Sequence, residues 1–126
     1  MIVNPRTGEQ VEFISETPEL LVMDVTWTRP GKRALAHVHP GMEERWEVVE
    51  GRAQFVIEGE PRTAAVGDVV VAPAGSRHVA WNPTDHPVRL RIEMRPALRW
   101  REFTTRFFAD EGPIALLDEF AAEVRV

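Results

Sequence analysis

The sequence predicts a mainly β fold closed by a short helical C-terminal tail. Three observations predict it. Ten prolines and eight glycines, nearly all before residue 97, cut the chain into short pieces with the spacing of an all-β protein. Several of those pieces alternate apolar and polar residues with period two, the mark of a half-buried strand. After Pro96 the apolar spacing changes to three and four, the period of a helix. At 126 residues the chain has the size of one domain, with residues 1–96 as its β part and 97–126 as its tail.

Val11–Ser15 and Leu20–Thr28 read as strands, with Leu21, Met23, Val25 and Trp27 on one face of the second. A turn at Arg29-Pro30-Gly31 leads to a strand over Ala34–His39, which Pro40-Gly41 breaks. Arg45–Glu50 and Arg52–Glu58 follow, and their tight junction at Gly51 reads as a hairpin. Gly59-Glu60-Pro61 turns the chain into Arg62–Val66. The apolar run Val69–Ala72 suggests a strand buried on both faces. His78–Asn82 comes next, and Asn82-Pro83-Thr84-Asp85 is a turn. Val88–Arg95 then alternates Val88, Leu90, Ile92 and Met94 against Arg89, Arg91, Glu93 and Arg95. In the tail, Trp100, Phe103 and Phe107 share a helical face. Pro113 suits a first helical position, and Leu117, Ala121 and Val124, flanked by Leu116 and Phe120, continue a second helical stretch.

Composition narrows the chemistry. The absence of cysteine removes disulfides, zinc–thiolate sites and thiol nucleophiles, so any metal must sit on nitrogen and oxygen. Tyrosine is absent too. A net charge of −5 argues against a nucleic-acid partner. Lys32 is the single lysine, and the arginines at 89, 91, 95, 99 and 101 read as a solvated strand face running into a helix. No apolar run approaches a membrane span, and Met-Ile-Val-Asn-Pro-Arg is not the start of a signal peptide, so a cytoplasmic protein without a membrane partner is expected.

Three of the four histidines fall in two blocks. The first is Gly31, five residues, His37-Val38-His39, four residues, Glu44, six residues, Gly51. The second is Gly67, five residues, Pro73-Ala74-Gly75, two residues, His78, three residues, Asn82. Two residues apart on a strand, His37 and His39 project to one face, where a pair of imidazoles suits a divalent cation better than an apolar core. Leu35 shares their parity. Parity also separates two acidic candidates: Glu44 lies with Trp46 and Val48, the likelier interior face, and Glu43 lies with Arg45 and Glu47. The Pro73-Ala74-Gly75 turn aims His78 back toward the same interior. Alone, a His-x-His is more often an accident than a site; paired with Glu44 and the second block, a metal site is much the better reading. His86 reads as an exposed loop residue, Asn82 as part of its turn, and Trp27 and Trp81 as core or contact residues.

Both blocks resemble the two conserved motifs of the cupin superfamily, in its small single-domain form, over about Arg29 to Arg95. The resemblance implies a double-stranded β-helix, a jelly-roll barrel, with one divalent metal near its centre on His37, His39, Glu44 and His78. Three neutral imidazoles and a carboxylate suit Fe, Mn, Ni, Cu or Zn. An octahedral ion would keep two open positions for a small-molecule substrate, water or dioxygen. Leu35, Trp46, Val48 and Met94 are the expected substrate-binding lining. No second constellation marks a catalytic base, so fold and metal do not fix the reaction. The leading expectation is an oxidoreductase acting on a small oxygenated organic substrate, resembling dioxygenase-type small cupins. The alternatives are a non-redox cyclase or isomerase, like the small cupins that assist polyketide ring closure, and a non-catalytic binding or sensing module. Apolar Val22, Val79 and Trp81, on strand faces opposite the interior, suggest a homodimer. The tail is expected to pack on the barrel or on the partner.

Overall fold

The structure, a computed structural model, describes residues 1–32 and 35–126, with the backbone alone for Lys32. Its strands are β1 (Ile2–Val3), β2 (Gln10–Thr17), β3 (Leu20–Trp27), β4 (Gly31–Lys32), β5 (His37–Val38), β6 (Glu43–Glu50), β7 (Arg52–Ile57), β8 (Glu60–Ala65), β9 (Val69–Ala72), β10 (Arg77–Asn82) and β11 (Val88–Arg95). The helices are α1 (Trp100–Phe108) and α2 (Pro113–Glu119).

Two antiparallel sheets face each other. One has the order β1-β2-β3-β11-β6-β9; the other is β4-β10-β7-β8, with β5 also paired to β10. This is the jelly-roll arrangement that the paired motifs imply. Period-two alternation decides which side chains enter. In β3, Leu21, Met23, Val25 and Trp27 are buried while their neighbours are half-exposed, and β11 buries Val88, Leu90, Ile92 and Met94. Trp27 and Trp46 are almost wholly buried, but only Trp27 finds a partner within the core: its Nε1 donates to Glu9 Oε2 at 3.1 Å. Arg91, Arg95, Arg99 and Arg101 lie on the solvated face, paired with Asp24, Glu93, Glu102, Glu119 and Glu16, and Arg89 is exposed.

Several local expectations are corrected. The strand expected over Ala34–His39 survives as β5 alone, Leu35 and Ala36 being irregular and residue 34 lying outside the described residues. β6 and β7 are not a hairpin: β6 pairs with β11 and β9, β7 with β10 and β8, so Gly51 is a corner between sheets. The corner demands glycine twice over, with φ of 82° and a position where a Cβ would come within 2.8 Å of the Pro87 carbonyl oxygen. The hairpin of this region is β7–β8, turned by Glu58 and Gly59, both at positive φ. β9 is an edge strand and not buried on both faces; Val69 is exposed while Val70 and Ala72 face the core.

The tail closes one end of the barrel. Phe103, Leu116, Phe120 and Val124 form a small core of their own, which Trp100 and Phe107 join to the main one. The second helix is shorter than its apolar spacing suggests. It stops at Glu119, and Val124 is buried instead by a turn that returns the chain to the barrel. There Val38 and Arg125 exchange backbone hydrogen bonds of 2.7 and 2.8 Å. Among the described residues, no helix is long and apolar enough to cross a membrane.

Candidate metal centre

The sheet register explains the convergence of the four expected residues. His37 on β5 lies directly opposite His78 on β10, so their side chains leave the same face side by side. His39 follows one residue beyond β5, and its carbonyl accepts the backbone N–H of Gly75 at 2.9 Å, which ties the Pro73-Ala74-Gly75 turn to the first motif. Glu44 reaches in from β6 in the opposite sheet, on the same face as Trp46. The potential ligand atoms of His37, His39, Glu44 and His78 all lie within 4.8 Å of one another. The ring centroids of the three histidines are 4.6, 4.9 and 5.0 Å apart.

The hydrogen bonds around the rings fix their tautomers. His37 Nδ1 faces the Leu35 carbonyl at 2.9 Å, His39 Nδ1 the Glu123 carbonyl at 2.8 Å and His78 Nδ1 the Ser76 carbonyl at 3.1 Å. A carbonyl only accepts, so each Nδ1 carries hydrogen and donates, and in the neutral ring Nε2 is a free lone pair. All three Nε2 atoms therefore serve the cluster. His39 Nε2 lies 3.0 Å from Glu44 Oε1, and His78 Nε2 lies 3.3 Å from the same oxygen without making an acceptable hydrogen bond.

Electrostatics agree with a cation site. Burial, reinforced by the neighbouring charge of His39, lowers His37 to about 4, so it is a neutral imidazole at neutral pH. Burial alone would lower His39 as well, but the hydrogen bond and charge of Glu44 outweigh it and raise the pKa. Burial opposes ionisation of Glu44, yet the adjacent His39 and His78 hold it well below the usual carboxylate range. In the metal-free chain the ionised Glu44 carboxylate and a proton on His39 thus stabilise each other. A divalent cation can take the place of that proton and satisfy the orphaned His78 Nε2 at once. The donor set fits a divalent transition metal.

Beside the cluster lies a cavity of about 300 Å³, walled by His37, Glu44 and His78 at the cluster and by Trp46, Val25 and Ile92 from the barrel. Of the expected substrate residues, Trp46 lines it, and Leu35 lines it at the rim, where it is 75% exposed. Val48 and Met94 do not. They point inward as parity requires, but both are sealed in the packed core and are not among the lining residues. The tail supplies the wall that periodicity did not single out: Trp100, Phe103, Thr104, Phe107 and Phe108. Trp100 packs edge-on to His39, with ring centroids 4.8 Å apart. Asn82 is part of its turn, accepting from Thr84 N and Oγ1, and His86 is an exposed loop residue.

Comparison with known proteins places this architecture. A cupin-domain family model matches residues 28–94, more than half of the chain. Among curated proteins, polyketide synthase CurC of Streptomyces cyaneus is 32% identical over 74 residues, covering 59% of this chain and 48% of that protein. Mannose-1-phosphate guanylyltransferase of Escherichia coli is 30% identical over 82 residues, covering 65% of this chain and 17% of that protein. The matches thus span about half of the first relative and about a sixth of the second. Among solved structures, KdgF from a Halomonas species superposes with a TM-score of 0.65 at 27% identity, over 71% of this chain and 81% of that one.

Proposed function

Since this chain belongs to the cupin family, we propose that it is a metal-dependent enzyme acting on a small oxygenated organic substrate, with His37, His39, Glu44 and His78 as the metal ligands. The observation that carries the reading is the tautomer pattern: three Nδ1 atoms face backbone carbonyls, leaving three Nε2 atoms clustered with a buried carboxylate, within 4.8 Å of one another, at the wall of an apolar cavity. When bound, the metal supplies a Lewis acid and, if redox-active, an oxidant partner. The chain supplies the rest. Glu44 contributes the negative charge of the ligand set, the three carbonyls fix the imidazole planes, and Trp100, Phe103 and Phe107 give the cavity an apolar helical wall.

Oxidation of the dioxygenase type is the first reading. Nitrogen and oxygen ligands accommodate iron, manganese and copper as well as zinc and nickel. The second is non-redox ring closure or isomerisation, favoured by the likeness to polyketide synthase CurC. Elemental analysis of protein purified without chelator, followed by oxygen uptake with enols, diketones and phenols, separates them. Uptake coupled to product supports oxidation, and conversion without uptake supports the second reading. No conversion with any of the five metals reconstituted would refute an enzymatic role and leave a binding module. A homodimer belongs to the same proposal, with half-buried Val22 and Trp81 on the outer faces; Val79 is covered and drops out. A 14.3 kDa monomer in solution scattering would refute it.

A further inference from the structure

Besides the His78 Nε2 of the metal cluster, two residues that line the cavity carry buried polar atoms left without partners among the described residues. Trp46 Nε1 and Thr104 Oγ1 are buried, belong to residues that line the cavity, and make no hydrogen bond among the described residues. Trp46 is 1% exposed and Thr104 6%. Trp27 Nε1 is paired with Glu9 and Asn82 Nδ2 with the His86 carbonyl, so outside the metal cluster these two stand out among the described residues. They belong to different walls. Trp46 comes from β6 with its ring 5.4 Å from that of His78; Thr104 comes from α1, one turn beyond Trp100. The indole can only donate, while the hydroxyl can donate or accept.

The remaining lining is apolar and ring-rich, with Trp100, Phe103 and Phe107 on the helical side. Its charged members are Glu9 and Glu44, and no lysine or arginine lines it among the described residues. A phosphate group would meet carboxylates and no protein cation.

Building on the metal-centred reading of the site, we propose that the cavity takes a ring-bearing, non-phosphorylated organic molecule with two separate oxygen functions. An acceptor oxygen beside the metal ligands receives the Trp46 N–H. A second, hydroxyl or carbonyl, pairs with Thr104 Oγ1 on the helical wall. Thr104 lies outside the segment matched by the family model, so this is a specificity contact added by the tail.

The test is calorimetric titration of the zinc-loaded full chain with 6-acetyl-2-naphthol, a bicyclic hydroxyketone whose two oxygens sit at opposite ends of the ring system, and with glucose 6-phosphate. The bicyclic probe is expected to bind at least tenfold more tightly than the sugar phosphate. Thr104→Val, which keeps the shape and removes the hydroxyl, should weaken the probe roughly three- to tenfold, and Thr104→Ser should restore it. Trp46→Phe should weaken it comparably. Sugar phosphate binding as tightly as the probe, or probe affinity indifferent to both Thr104→Val and Trp46→Phe, would overturn the inference. Zinc uptake is measured on the same preparation. Protein that takes up zinc and ignores the probe overturns this inference alone; protein that takes up no zinc overturns the metal-centred reading and this inference with it.

Discussion

Removing residues 123–126 tests whether the tail belongs to the metal site or merely covers it. The deletion takes away the Glu123 carbonyl that accepts from His39 Nδ1 at 2.8 Å, and both backbone bonds between Val38 and Arg125. It also removes the buried Val124 side chain, worth about 1.5–3 kcal/mol of local packing. The packing loss loosens the tail, but the effect on metal binding runs through one atom. Without its acceptor, the His39 ring loses both its orientation and its reason to keep hydrogen on Nδ1. Loss of such an orienting partner typically lowers metal affinity 10–100-fold, about 1.4–2.7 kcal/mol. Competition with a chelating dye reads the zinc affinity. Nitrogen-15 NMR of the imidazoles reads the tautomer directly, with His39 expected to carry hydrogen on Nδ1 in the full chain and to lose that bias in the truncated one. A truncated protein that still unfolds cooperatively and binds zinc within twofold of the full chain would refute the reasoning.

Other outcomes are expected. His78→Ala should sharply lower metal occupancy, and full occupancy by elemental analysis would show that His78 is not a ligand. Metal uptake should strengthen as pH rises through the raised pKa of His39, because its proton must leave, and the dependence of titration enthalpy on buffer should report that release. In the metal-free protein His37 has a folded pKa near 4 against an ordinary 6.5, so the unfolded chain binds its proton first. Its contribution therefore erodes stability as pH falls from about 6.5 to 4, and His37→Gln should flatten that part of the pH–stability curve. Trp27→Phe deletes a buried hydrogen bond to Glu9 and should cost about 1–3 kcal/mol in denaturant unfolding. Trp46→Phe deletes no bond to the described residues and should cost distinctly less than Trp27→Phe.

How much was legible in the sequence follows from which interactions are local. Strand parity alone puts His37 and His39 on one face and selects Glu44 over Glu43, because a period of two leaves little freedom once one face is buried. The same rule gives Val48 and Met94 the correct side. It cannot give depth, and both lie sealed in the core away from the cavity. Gly51 carries an unmistakable turn signal, but whether two strands joined by a tight corner pair with each other or part into opposite sheets depends on long-range partners. The tail was the least legible part of the site. Trp100, Phe103 and Phe107 have the spacing of any amphipathic helix, and nothing in that period says that the face covers a cavity. The return of the chain at Val124 and Arg125 is a backbone event with no side-chain signature at all.

That return has a bearing on how the protein is made. The carbonyl that orients His39 lies 84 residues downstream of it in the chain. On the ribosome, His37, His39 and Glu44 emerge first, the opposing His78 later, and the acceptor for His39 later still. A nascent chain therefore passes through a stage with two imidazoles and a carboxylate but no finished cage, and any ion captured then is held by an incomplete and poorly oriented set. On the proposed metal-centred reading, selection among metals would rest with the folded chain, after translation has passed Glu123.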